Sequence, residues 1–140
     1  MREILFRGKR IDNGEWVEGS LVHRTQFYGD PDDCYFILYD GEFHCDYYGS
    51  AEVDFKTVGQ YTGLTDKNGK KIFEGDIVDC WSEGVNAQGT VQQRRDGLWI
   101  IYPAWQKHIM WGLCPNEYSH TAVEVIGNIH DNPELIKGGK

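Results

Sequence analysis

Residues 73–78 read Phe73-Glu74-Gly75-Asp76-Ile77-Val78, and this short run decides the class of fold. A glycine between two acids permits a sharp bend, and the aspartate after it can bond nearby amides, as alanine cannot. Ile77 and Val78 then open an apolar, β-branched stretch that runs to Trp81. A bend feeding a strand of this kind predicts a β-rich chain.

Outward from this bend, Asn/Asp-Gly pairs punctuate the chain at Asn13-Gly14, Asp40-Gly41, Asn68-Gly69 and Asp96-Gly97. Such pairs suit two successive positive φ angles, so each predicts a two-residue hairpin turn of type I′. Strands are expected at 5–11, 16–22, 35–39, 59–62, 76–81, 89–94, 98–102 and 123–129, where aromatic and β-branched residues cluster. One short helical turn is expected at the end, with Asp131 or Asn132 as its cap and Pro133 in first position. Many short strands between turns predict a mainly β protein, its antiparallel hairpins forming a barrel-like fold. The C-terminal half, with its bend at Gly75, resembles the strand pattern of SH3-like barrels. A length of 140 residues suits one domain over 1–140, with two sub-barrels at about 1–56 and 57–136 as the alternative.

Composition narrows the classes further. With 40% apolar residues and five Trp, the chain has enough to build a core, which sets it apart from disordered sequences. The net charge of -8 is local: residues 28–55 hold eight acids and no Lys or Arg, and the remainder balances at 14 against 14. These acids are Asp30, Asp32, Asp33, Asp40, Glu42, Asp46, Glu52 and Asp54. Such a face repels a phosphate backbone. The apolar run Ile4-Leu5-Phe6 is far shorter than a signal-peptide core, and no later stretch reaches a membrane span, so a cytoplasmic location is expected. Cys34, Cys45, Cys80 and Cys114 lack any C-x-x-C pair, which predicts reduced, mostly buried thiols.

Four blocks carry a family resemblance: Leu5 to Arg10 with Asn13 to Val17, Val58 to Gly69, Ile72 to Val78, and Val125 to Leu135. In order and type they resemble the signature blocks of the YopX family. The resemblance implies a small β-rich protein of bacteriophages and prophages living in a bacterial host cell, and it supplies no catalytic residues to carry over. The stretches 26–52 and 104–120 resemble the family least, which places specificity there.

Candidate chemistry is weighed residue by residue. Val58 to Leu64 has neither the spacing of a phosphate loop nor a helix after it, so its glycines are read as bends and bulges. Cys34, His44 and Cys45 are potential zinc ligands without a fourth at recognisable spacing. Asp30, Asp32 and Asp33 lack the register of a calcium loop. Cys80, Cys114, His108, His120, His130 and Asp131 supply nucleophile and base types, but no nucleophile elbow or cofactor fingerprint accompanies them. No cofactor, no metal and no enzymatic activity are expected.

The strongest surface signal is a set of aromatics interleaved with cations: Trp99, Tyr102, Trp105 and Trp111, with Arg94, Arg95 and Lys107 nearby. Such a surface can stack bases and hold phosphates. The competing reading is that Trp99 and Ile101 alternate with outward residues and build the core. The leading functional expectation is therefore non-enzymatic binding to another protein, with self-association through strand edges or aromatics as a further option. A nucleic-acid module is the alternative, opposed by the charge, and a small enzyme of unknown reaction comes third.

Overall fold

The computed structural model of the chain describes residues 3–24, 34–39, 49–82, 85–104, 109–113 and 121–137. Its strands form antiparallel ladders, and the chain divides into two compact units, Met1–Gln60 and Tyr61–Lys140. The only helix among the described residues longer than three residues is α1 (Pro133–Lys137), and none is long and apolar enough to cross a membrane.

The first unit is a meander of β1 (Phe6–Lys9), β2 (Trp16–Arg24), β3 (Cys34–Leu38) and β4 (Ser50–Val53), each antiparallel to the next. Successive side chains alternate faces, so Ile37, Ala51 and Val53 share one side and are buried. Gly8 lies under them; a Cβ there would sit 3.0 Å from the Val53 Cβ. The outer edge of β1 is used twice. Its first residues pair with the start of β5 (Gly59–Thr65), at Phe6↔Gln60 and Arg7↔Gly59. Its continuation meets β4: Arg10 bridges Val53, the Ile11 amide donates to the Glu52 carbonyl at 3.0 Å, and the Asp54 amide donates to the Lys9 carbonyl at 2.9 Å. The meander thus returns on itself through a short seam and not through a ladder. A 3₁₀ turn at Phe55–Thr57 follows, capped by Asp54, whose Oδ1 accepts from the Lys56 amide at 3.0 Å.

The second unit contains the rest of β5, then β6 (Lys71–Phe73), β7 (Asp76–Ser82), β8 (Val85–Gln93), β9 (Trp99–Ala104), β10 (Ile109–Gly112) and β11 (Glu124–Asn128). Five of these form a sheet in the order β10-β9-β8-β7-β11. Ile72, Val78, Cys80, Val91, Trp99 and Ile101 make its core, with Leu113 and Val123. The 73–78 run behaves as expected. Gly75 takes φ 90°, its amide donates to the Val91 carbonyl and its carbonyl accepts from the Ile129 amide, both at 2.9 Å. Asp76, 1% exposed, accepts from the Phe73 amide at 2.8 Å, and Ile77 and Val78 are both buried.

Asp66 is the other buried carboxylate of this unit, 1% exposed. Its Oδ1 accepts from the Asn68 and Lys70 amides, each at 2.8 Å, and its Oδ2 from the Val125 amide at 3.1 Å, across 59 residues of chain. Three further bonds sew the same segments together: the Thr121 amide and hydroxyl donate to the Thr65 carbonyl, and the Lys67 amide donates to the Val123 carbonyl.

Three expectations need correction or refinement. The three Asn/Asp-Gly pairs among the described residues do join hairpins, with Gly14, Gly69 and Gly97 at φ 72°, 82° and 93°, but none is a two-residue turn. At 66–70 the Gly69 amide donates to the Asp66 carbonyl and the Asp66 amide to the Lys70 carbonyl, a three-residue loop; 94–98 repeats this pattern, and Arg10 to Glu15 encloses four residues. An acidic or amide side chain at the loop bonds an amide two residues ahead, as Asn13 does with Glu15 and Asp66 with Asn68, which favours a wider turn with one positive φ. Asp40-Gly41 lies outside the described residues. Second, the mainly β, antiparallel fold is present as expected, but as two sheets, with no ladder between β10 and β11 among the described residues. Third, the short helix is present as expected, with Pro133 first, and the Oδ1 of Asn132 before it accepts from the Asn128 amide at 3.3 Å, a bond the sequence did not predict. The short strands β4, β6 and β10 lie outside the strands the sequence predicts.

Burial pushes the Asp66 carboxyl up, but the amides of Val125, Lys70 and Asn68 together outweigh it and hold it below the ordinary carboxylate range. A carboxylate whose pKa is lower folded than unfolded contributes stability above the unfolded value, and that contribution disappears as pH falls through the folded one. Asp66→Asn keeps one acceptor oxygen but sets an NH₂ against at least one buried amide. It should cost roughly 1 to 3 kcal/mol in urea unfolding at pH 7. The gap between wild type and variant should narrow below about pH 4. An equal gap at pH 7 and pH 3 would show that the charge of Asp66 does not matter.

Candidate functional site

The β3 segment Cys34-Tyr35-Phe36-Ile37-Leu38 alternates, so Ile37 faces the core while Tyr35 lies two residues nearer the strand end on the same side. Across the ladder its partner is His23, and the two rings stack at 4.3 Å with an angle of 2°. Phe55, placed by the 3₁₀ turn, stacks on Tyr35 at 4.3 Å and 25°. Two rings each stacked this closely on Tyr35 occupy its two faces, so the three form a column. Phe55 remains 57% exposed at one end of it.

This column stands beside an open groove of about 790 Å³, lined by Lys9, Arg10, Ile11, Tyr35, Glu52 and Phe55, with Gly14, Val53 and Asp54 completing the wall. The groove lies on the seam where the chain after β1 meets β4. Ile11 is 60% exposed at its rim. Its two cations are engaged: Arg10 donates to both carboxylate oxygens of Asp12, at 2.9 and 2.8 Å, and the Lys9 ammonium sits 5.4 Å from the Trp16 ring centroid. The bond to Asp12 raises the Arg10 pKa, and the bond to Arg10 holds Asp12 below its ordinary range.

The residues singled out from sequence are not gathered in one place. Trp99 is in the core, 8% exposed, with Ile101; Tyr102, three residues along β9, faces the other way and is 37% exposed. The strand itself separates these two rings. Arg94 is committed to Asp96 in the loop before β9, with its Nε donating to Oδ1 at 2.9 Å and a second, shorter bond from Nη2 to Oδ2. That pair and the Leu98 amide bring Asp96 down to about 2. Arg95 lies exposed in the same loop. Trp111 belongs to β10, paired in register with Ile101. Trp105, Lys107, His44, Cys45, His108, Cys114 and His120 lie outside the described residues.

Among the described residues no group of three or more His, Cys, Asp or Glu is placed to hold a metal ion. Asp131 accepts from the Asn128 side-chain amide at 3.1 Å, a local bond within the turn before α1. The block 58–64 is strand β5, where the Thr62 hydroxyl donates to the Ile72 carbonyl and accepts from the Leu64 amide. His23, Tyr35 and Phe55 are no part of the surface the sequence predicts. The one available signal was Asp54 immediately before an aromatic and after a strand, which marks a capped turn but not the exposure of the ring.

The family described as YopX protein matches residues 5–137. Among solved structures, the crystal structure of protein EF1440 from Enterococcus faecalis is similar over 97% of this chain and 99% of its own, at 21% identity and a TM-score of 0.48. No curated protein matches the chain.

Of the four cysteines, two are described: Cys34 is half-buried and Cys80 buried. Burial, and secondarily the Asp79 charge, pushes Cys80 up to about 11. The reactive thiolate is then scarce at neutral pH. In a chain with Cys34, Cys45 and Cys114 changed to serine, Cys80 should resist an aromatic disulfide reagent at pH 8 and react once urea unfolds the protein. Fast labelling of the native form would contradict its burial.

Proposed function

The chain belongs to the YopX protein family, and on that premise we propose that it is a non-enzymatic accessory protein of phage or prophage type that binds another protein through the groove of its N-terminal unit. The setting of this reading is the cytoplasm of a bacterial host, with the C-terminal unit, SH3-like in its strand pattern, serving as a second surface. The observation that carries it is the exposed Phe55 ring at the end of a three-ring column beside an open groove. Large, rigid rings presented this way bury much area at little entropic cost, which is why aromatics dominate binding hot spots. Ile11 at the rim adds apolar surface to the same patch. The nucleic-acid alternative draws on Tyr102 and Arg95, but the Arg94 charge on that side is already met by Asp96.

The test compares wild type with Phe55→Ala as bait in a lysate of phage-infected bacteria, followed by calorimetry with each purified candidate. Phe55 is exposed, so both proteins should melt alike. The expected result is a partner whose affinity falls at least tenfold in the variant, corresponding to a hot spot of about 1.4 kcal/mol or more. A partner that binds both proteins equally overturns the groove as the site. Salt-sensitive retardation of DNA or RNA, abolished by Arg95→Glu with Tyr102→Ala, would favour the alternative.

A further inference from the structure

Resting on the protein-binding reading above, we propose that the outer face of Phe55 receives an arginine side chain from a basic segment of the partner. Tyr35 is covered on both faces, by His23 and by Phe55, so the column can grow only at its ends. Phe55, at one of these ends and 57% exposed, is the ring of the column most open to a planar group.

Charge selects among the planar groups. The negative face of an aromatic ring attracts a cation. Glu52 and Asp54 line the same groove, while of its cations Arg10 is paired with Asp12 and the Lys9 ammonium lies over the Trp16 ring. In the sequence, the 28–55 segment that supplies Tyr35, Glu52, Asp54 and Phe55 holds no Lys or Arg. A nucleobase would stack equally well, but its phosphates would enter this negative field at a cost. A lysine ammonium is a compact, strongly hydrated charge, whereas a guanidinium is flat, weakly hydrated and able to stack and pair with a carboxylate at once. Arginine satisfies both the ring and the charge.

The probe is a fluorescein-labelled octapeptide of alternating arginine and glycine, measured by anisotropy at low and physiological salt beside its lysine and citrulline counterparts. The arginine peptide should bind, the lysine peptide should bind roughly threefold to fivefold more weakly, and the uncharged citrulline peptide should not bind. Phe55→Leu keeps an apolar side chain without a π face and should lose a similar factor for arginine, and Glu52→Lys should weaken binding further. Equal binding of the arginine and lysine peptides, or arginine binding untouched by Phe55→Leu, reduces the attraction to bulk charge and overturns the proposal. Phe55-dependent retention of a single-stranded oligonucleotide also overturns it. Where a protein partner is lost in Phe55→Ala but the arginine peptide fails to bind wild type, the protein-binding reading stands and the arginine assignment falls. Failure of both experiments removes both.

Discussion

The carboxylate of Asp66 is the point on which the C-terminal unit depends. A buried carboxylate is costly unless its lone pairs are filled, and here three backbone amides fill them. Two of these amides belong to the β5–β6 loop and the third to β11, so one side chain both shapes a turn and ties the turn to a distant strand. The Thr121 and Val123 bonds to residues 65 and 67 then follow from the same alignment. Asp76 plays a narrower part at the next corner, where it holds the Phe73 amide while Gly75 links to Val91 and Ile129. Local loop chemistry and long-range pairing are satisfied by the same few atoms, which is the consistency expected of a sequence that specifies one fold.

Much of this was legible in the residues. The Phe73 to Val78 bend, the strands around Asp76 and Trp99, and the hairpin positions at the glycines are all local signals, and local signals survive folding. Turn type was not legible, because Asn-Gly and Asp-Gly fit several loops, and the choice falls to side-chain bonds such as that of Asn13 to Glu15. Nor were the strands β4 and β6 legible, since three or four residues such as Lys71-Ile72-Phe73 become a strand only when a partner lies alongside. The role of the Asp66 carboxylate was not legible either, since its third amide comes from Val125, 59 residues along the chain.

The candidate site illustrates the same limit. Trp99 and Tyr102 are neighbours in sequence but belong to opposite faces of β9, so composition alone overstated that surface. His23, Tyr35 and Phe55 are scattered in sequence and meet because β2 pairs with β3 and a capped turn follows β4. Ring stacking between residues brought together by strand register is a property of the fold, not of any stretch of residues. Function in a scaffold of this kind is carried by what the register assembles.

The seam between the chain after β1 and β4 has an evolutionary consequence. Arg10, Ile11 and Asp54 close the meander, and Arg24↔Cys34 and Tyr39 to Gly49 pair at the two ends of β3, so the register of these strands is fixed by backbone bonds at both ends. Backbone bonds of this kind do not depend on which amino acids occupy 25–33 and 40–48, so substitutions there leave these pairs available. Both connections spring from the strand that carries Tyr35, one from each end, and between them they hold six of the eight acids in the 28–55 segment. Relatives could recharge these stretches of sequence while leaving the paired strands untouched, so the acidic character of this chain is the part of it most open to rapid divergence.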